Sequence, residues 1–263
     1  MTEAVVVLSD LHIGNMFDYK SFYKTVDLAE KIIRKHGVKK SVLVLLGDVC
    51  DASEIYRTQL TLAENRLQRY IAAEIADETA KRLKSKRIII TAGNHDLRKG
   101  IELARDVAEI LRKDYGYDVT YTENFLVEEV EGVRFLLTHT MSVRSRGSYY
   151  GGVTGYILTA ILYLMVKTKA DVAVIGHTHR GGVWRDVIYQ CSSFHISSFD
   201  ISDRTMWAFI VDSGKVLPIR LYSPPSLYST MYQMEIMQFY IQKLLKMRKI
   251  DATQTQIDSV IET

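Results

Sequence analysis

Short apolar, β-branched runs alternate with longer stretches of helical period along the first half of this chain, and a polar cluster follows each run. Ala4 to Leu8 predicts a buried strand, Tyr19 to His36 an amphipathic helix ended by Gly37, and Ser41 to Leu46 a second buried strand. Apolar residues at three and four spacing predict helix within Ile55 to Lys84, and Arg87 to Thr91 reads as a third strand. A β-α-β-α-β order of buried strands implies a parallel sheet covered by helices.

After a predicted helix near Ile101 to Tyr115 the pattern changes. Phe125 to Val130 and Val133 to Thr138, separated by Glu131-Gly132, read as a hairpin. An apolar helix from Tyr156 to Val166 follows, then short strands at Asp171 to Ile175, Val183 to Ile188, Ser193 to Ser197, Met206 to Val211 and Val216 to Leu221. The expected fold is α/β: a four-layer α/β/β/α sandwich of two mixed sheets flanked by helices. Pro224-Pro225 can continue neither strand nor helix, so we expect a main domain over 1–223 and a helical appendage over 226–263. In that appendage Leu227, Met231, Met234, Met237, Ile241, Leu244 and Leu245 recur at helical spacing, which suits docking on the main domain or a homodimer contact.

Composition narrows the class. With 47% hydrophobic residues in 263 there is ample core, and disorder is excluded. A formal charge of +3 does not describe a surface built as a whole for nucleic acid, so any polyanion binding has to be local. Cys50 and Cys191 cannot form a disulfide framework and lack the spacing of a structural zinc site, which fits a reducing, cytoplasmic setting. Met1-Thr2-Glu3-Ala4 has neither the basic start nor the cleavage site of a signal peptide. The apolar stretch from Tyr156 falls short of the roughly 20 residues that span a bilayer, so no membrane segment is expected.

The polar clusters carry the chemistry. Asp10-Leu11-His12, Gly47-Asp48-Val49-Cys50-Asp51, Gly93-Asn94-His95-Asp96, Thr138-His139 and Gly176-His177-Thr178-His179 each stand where a predicted strand ends. Ligands of α/β sheets bind beyond the carboxyl ends of strands, so these segments can meet at one rim. Asp, His and Asn without a thiolate suit divalent Mn, Fe or Zn, with Mn the first expectation. Seven ligand candidates are too many for one tetrahedral ion and fill two sites if one carboxylate is shared. Two adjacent cations form the clamp used for in-line displacement at phosphorus.

At these residues the chain resembles the calcineurin-like metallophosphoesterase superfamily, whose signature is D-x-H, G-D-x-x-D, G-N-H-D/E, H and G-H-x-H in that order. The resemblance implies a first metal held by Asp10, His12 and His179, a second held by Asn94, His139 and His177, and Asp48 bridging them. It further implies His95 as the group that contacts phosphate and protonates the leaving oxygen, oriented by Asp96, with a metal-bridging hydroxide as nucleophile. Asp51 is expected to orient Asp48 or its loop, while His36 and His195 read as structural. Ala52-Ser53 after Asp51, and Asp96 where protein phosphatases carry Glu, point away from that branch. The blocks look most like repair exonucleases and related phosphodiesterases, though the short stretch after Pro225 does not match their DNA-capping domain.

The expected activity is therefore phosphodiester hydrolysis, on single-stranded nucleic acid or a nucleotide. The alternatives are a phosphomonoesterase or protein phosphatase, and a non-catalytic scaffold that binds partners through the C-terminal helix. Arg144, Arg146 and Arg180, with Arg185, are placed by sequence near the rim as phosphate contacts. Tyr149, Tyr150 and Trp184 could stack on bases, and Gly147, Gly151, Gly152, Gly181 and Gly182 suit mobile loops over the rim.

Overall fold

Strand β1 (Glu3–Leu8) pairs in parallel with β2 (Lys40–Leu46), and β2 in turn with β3 (Ser85–Thr91), as the buried β-branched runs require. The computed structural model describes residues 1–15, 17–52, 63–98, 101–139, 155–195, 204–225, 230–247 and 249. Helix α1 (Tyr19–Lys35) connects β1 to β2. It starts where the Asp18 carboxylate accepts the Ser21 N–H at 3.0 Å. Helix α2 (Asn65–Leu83) leads into β3 and is shorter than its periodicity predicts: Glu64 is extended and stops the helix, and residues 53–62 lie outside the described set.

The first sheet has six strands in the order β13-β12-β1-β2-β3-β6. Beyond β3, the two-residue strands β4 (Leu97–Arg98) and β5 (Ile101–Glu102) pair with each other and lead into α3 (Leu103–Tyr115). Strand β6 (Asp118–Thr122) joins β3 in parallel. The polar residues of β6 give no strand pattern in the sequence, although Gly116, in the left-handed region at φ 73°, marks the turn into it.

The second sheet has five strands in the order β10-β11-β9-β8-β7. Strands β7 (Phe125–Val130) and β8 (Val133–Thr138) form the expected hairpin, with both turn residues, Glu131 and Gly132, at positive φ. Helix α4 (Gly155–Thr168) precedes β9 (Val172–Ile175) and packs on it. The single strand expected from Val183 to Ile188 is instead a hairpin of β10 (Gly182–Trp184) and β11 (Ile188–Gln190), because Arg185 and Asp186 both adopt positive φ and turn the chain. No strand forms at Ser193–His195, whose segment hydrogen-bonds irregularly to other parts of the chain; Ile196 and Ser197 lie outside the described residues. Strands β12 (Arg204–Asp212) and β13 (Lys215–Ser223) then return to the first sheet, β12 pairing with β1.

The sheets pack face to face through Phe135, Tyr189, Trp207 and Phe209, whose rings meet edge to face. Helices α1, α2 and α3 lie against the first sheet and α4 against the second, giving the expected α/β/β/α layers. Helix α5 (Thr230–Lys246) lies against α1 and α2: the Tyr19 hydroxyl donates to Met237 Sδ at 3.0 Å, Tyr240 to Glu78 at 2.9 Å, and Lys243 pairs with Glu74 at 2.6 Å. Its Met237, Tyr240, Ile241 and Leu244 are buried in this contact. Among the described residues no helix is long and apolar enough to cross a membrane.

Candidate metal centre

All five polar blocks follow carboxyl ends of strands: β1, β2 and β3 of the first sheet, β8 and β9 of the second. The first two loops prolong the β1–β2 ladder, with Asp10 N–H donating to Gly47 O at 3.1 Å and His12 N–H to Asp48 O at 2.9 Å. Asp10, His12, Asp48, His177 and His179 all have φ between 46° and 69°. The paired side chains of Asp10-x-His12 and His177-x-His179 therefore share a site through left-handed backbone, not through the extended chain that the period of two implies. Left-handed geometry costs an ordinary residue about 1–2 kcal/mol, and such cost concentrates at functional sites.

The side chains converge in two outer groups linked by a third. Donor atoms of Asp10, His12 and His179 lie within 4.8 Å of one another, as do those of Asp48, His139 and His177, and those of His12, Asp48 and His95. His179 Nε2 is 3.2 Å from Asp10 Oδ1, and His139 Nε2 is 3.0 Å from Asp48 Oδ2. Asp48 Oδ2 is also 3.9 Å from His12 Nε2, so one carboxylate faces both groups. Asn94, exposed, stands between Gly93 and His95, both of which abut Asp48.

Supporting bonds aim these donors inward. Asp10 Oδ2 accepts from the Ser9 hydroxyl at 2.5 Å and from His177 N–H at 3.1 Å, leaving Oδ1 to face His179. Asp48 Oδ1 accepts the His95 N–H at 2.8 Å, leaving Oδ2. His139 Nδ1 donates to Leu46 O at 2.7 Å, which leaves the Nε2 lone pair facing Asp48. Asp10 Oδ1, both His12 nitrogens and His139 Nε2 are buried without a hydrogen bond among the described residues. Buried polar atoms left this way are costly, and oxygen and imidazole donors turned toward one another fit divalent cations. Gly93 is required here, because a Cβ on it would stand 2.0 Å from Asp48 Oδ1.

The electrostatics of the imidazoles differ. Burial lowers the pKa of His12 well below its ordinary value, and burial together with the nearby His139 lowers that of His177, which favours the neutral imidazole a cation needs. Burial also opposes the charged form of His139, but the Asp48 and Asp10 carboxylates outweigh it and lift its pKa to about 9. Asp48 is held low against its own burial chiefly by His139.

Asp96 does not orient His95. Its Oδ2 accepts the Val49 N–H at 3.1 Å and the Gly93 N–H at 3.0 Å, and its Oδ1 the Cys50 N–H at 2.9 Å, so it ties the loop after β2 to the loop after β3. Burial, followed by the Asp48 charge, raises its pKa to about 7. The partner of the His95 ring is Asp51, whose Oδ1 lies 2.7 Å from Nδ1. Asn15 Nδ2 donates to the other oxygen of Asp51, and Gln68 brackets the Asp51 backbone, accepting its N–H at 3.0 Å and donating to its C=O at 2.9 Å. Burial pulls the His95 pKa down, but Asp51, Asp48 and Asp96 together raise it.

His195, read from sequence as structural, has its ring 5.0 Å from that of His12. Nothing in its local sequence announces this, since the contact is made across the fold. Arg180 is exposed beside His179. Arg144, Arg146, Tyr149, Tyr150, Gly147, Gly151 and Gly152 lie outside the described residues. Trp184 is partly buried against the α4 core, with Arg185 stacked 4.6 Å from its ring, and His36 caps α1. Cys50 is fully buried.

Residues 4–181 match the calcineurin-like phosphoesterase family. Among curated proteins, the DNA polymerase II small subunit of Archaeoglobus fulgidus is 24% identical over 212 residues, covering 68% of this chain and 43% of the relative. That of Thermoplasma acidophilum is 23% identical over 218 residues, covering 72% and 44%. The chain thus spans less than half the length of these relatives. Similar solved structures include a predicted phosphoesterase from Streptococcus pneumoniae (14% identity, 88% of this chain and 95% of that one, TM-score 0.44). A hypothetical protein from Pyrococcus horikoshii is 11% identical, with 97% of both chains covered and a TM-score of 0.49. With the family's match running through all five polar blocks, the chain belongs to the calcineurin-like phosphoesterases.

Proposed function

We propose that this protein hydrolyses phosphodiester bonds at a two-cation centre. Asp10, His12 and His179 hold one ion, Asn94, His139 and His177 the other, and Asp48 is shared. The observation that carries this reading is the placement of Asp48, whose Oδ2 faces His139 at 3.0 Å and His12 at 3.9 Å from opposite groups. When bound, two divalent cations lower the pKa of water toward neutrality and offset the charge of an anionic ester.

The chain's own residues supply the rest. The Asp51 carboxylate fixes the His95 ring through Nδ1 and favours its protonated form, so that Nε2 can deliver a proton to the leaving oxygen. Gln68 and Asn15 hold Asp51 in that role. Arg180, exposed beside His179, is placed to meet a phosphate at the rim. Manganese fits the donor set, with iron and zinc as alternatives.

The name of the curated relatives, a DNA polymerase subunit, tilts the substrate toward nucleic acid or nucleotides. It also favours one second reading, in which the chain works as a subunit of a larger assembly. The test is hydrolysis of bis-p-nitrophenyl phosphate, with Mn(II) and with chelator, beside a monoester and single-stranded DNA. Diester turnover that needs Mn(II) is the expected result. A folded chain that binds Mn(II) without turning over any of the three would favour the subunit reading, and a preference for the monoester would overturn the diesterase.

A further inference from the structure

His139 and His12 are oriented differently. The His139 ring is fixed by its Nδ1 bond to Leu46 O, whereas neither nitrogen of His12 makes a hydrogen bond among the described residues, although the ring is fully buried. The nearest carboxylate oxygens, Asp48 Oδ2 at 3.9 Å and Asp51 Oδ2 at 3.8 Å, are too far to hold it. Its orientation has to come from packing. Three imidazoles provide that: His95 at 4.8 Å between ring centroids, His195 at 5.0 Å and His179 at 5.3 Å.

Of these, His95 and His179 have tasks of their own in the centre. His195 is held by backbone bonds to the very loop that carries His12. Phe194 N–H and the Ser193 hydroxyl both donate to Asp10 O, at 2.9 and 3.1 Å. Ser193 Oγ accepts the His195 N–H at 2.9 Å, Asp18 N–H donates to Phe194 O at 2.7 Å, and His195 forms a β-bridge with Phe17. These bonds fasten the 193–195 segment to the loop on both sides of His12. They also satisfy the Asp10 carbonyl.

We propose that His195 is a positioning residue of the metal centre: its ring, pinned through the 193–195 backbone, sets the orientation of the His12 imidazole and so the affinity of the ion held by Asp10, His12 and His179. The inference rests on the ligand assignment above. It predicts that a flat ring at this position is what the His12 imidazole needs.

The test is calorimetric titration of the metal-free full chain with Mn(II), which reads the site without turnover. His195→Ala and His195→Asn should weaken one of the two binding steps about 10-fold, the lower end of what loss of a ligand's supporting contact costs, and leave the other step near its original affinity. His195→Phe, which keeps a flat ring, should stay close to the parent. Thermal melts establish that each variant folds, and if the alanine variant does not, the asparagine variant carries the comparison. Parental affinity at both steps in the alanine or asparagine variant overturns the inference and leaves the centre intact. A phenylalanine variant as weak as asparagine overturns it as well, since the nitrogens would then be in use. A parent chain that takes up no Mn(II) removes the two-cation reading itself, and this inference with it.

Discussion

Asp51 Oδ1 lies 2.7 Å from His95 Nδ1, so the last aspartate of the loop after β2 governs the ring carried by the loop after β3. His95→Ala should lower the diester rate by about 10²–10⁴, the usual share of a positioned proton donor, with Mn(II) stoichiometry retained. Asp51→Asn should cost about 10–100-fold in kcat through the mis-set ring. Steady-state kinetics beside Mn(II) titration checks both, and an unchanged rate for His95→Ala removes it as the acid.

Asp48 faces both groups of donors, so it has no substitute. Asp48→Ala is expected to abolish uptake of both ions and with it turnover. Removing one nitrogen donor from a single group, as in His179→Ala, should spare the other ion. Calorimetric stoichiometry separates these outcomes. A variant at Asp48 that still takes up two ions would contradict that sharing.

Gly93→Ala tests the space around that carboxylate. The added methyl would stand 2.0 Å from Asp48 Oδ1, with the Asp48 backbone nitrogen at 2.2 Å, so the loop must move. Overpacking of this kind costs about 1–3 kcal/mol. Urea denaturation should report that loss, and Mn(II) affinity should fall with it.

The contact between α2 and α5 is predicted to depend on pH. Glu74 is buried against Lys243 and Tyr115, and these bonds hold its pKa below 4.5 in spite of the burial. Its contribution is complete above pH 4.5 and disappears as the pH falls through the lower folded value. Burial disfavours the Lys243 charge, but Glu74 and Glu78 raise its pKa above 10.5, so its share is complete below that value and fades as the pH rises beyond it. Proteolysis near the C-terminus should therefore be slow at neutral pH and accelerate at both extremes. Glu74→Gln should flatten the acid limb.

Much of this was legible in the sequence because period and punctuation agree: β-branched runs for β1, β2, β3, β8 and β9, and a polar block after each. Each strand of β1–β2–β3 is buried on both faces, which makes its apolar run continuous and easy to read. What escaped depends on contacts across the fold. Asp51 and Asp96 each close a polar block, and only their hydrogen bonds distinguish the ring partner from the loop tie. His195 sits in a segment whose alternation reads as strand, yet its bonds go to the loop after β1. Strand β6 was hidden by its polar residues, since it lies at the sheet edge with only Val119 buried.

The donors come from opposite halves of the sandwich, with Asp10, His12 and Asp48 on the first sheet and His139, His177 and His179 on the second. Ions held between them would rivet the layers together, so loading the centre and resisting unfolding become one property. A ligand that binds only the folded chain at 100 times its dissociation constant adds about 2.7 kcal/mol. Melting curves with Mn(II) and with chelator should differ accordingly, and the chelated form should lose its tightest layer contact first at this rim.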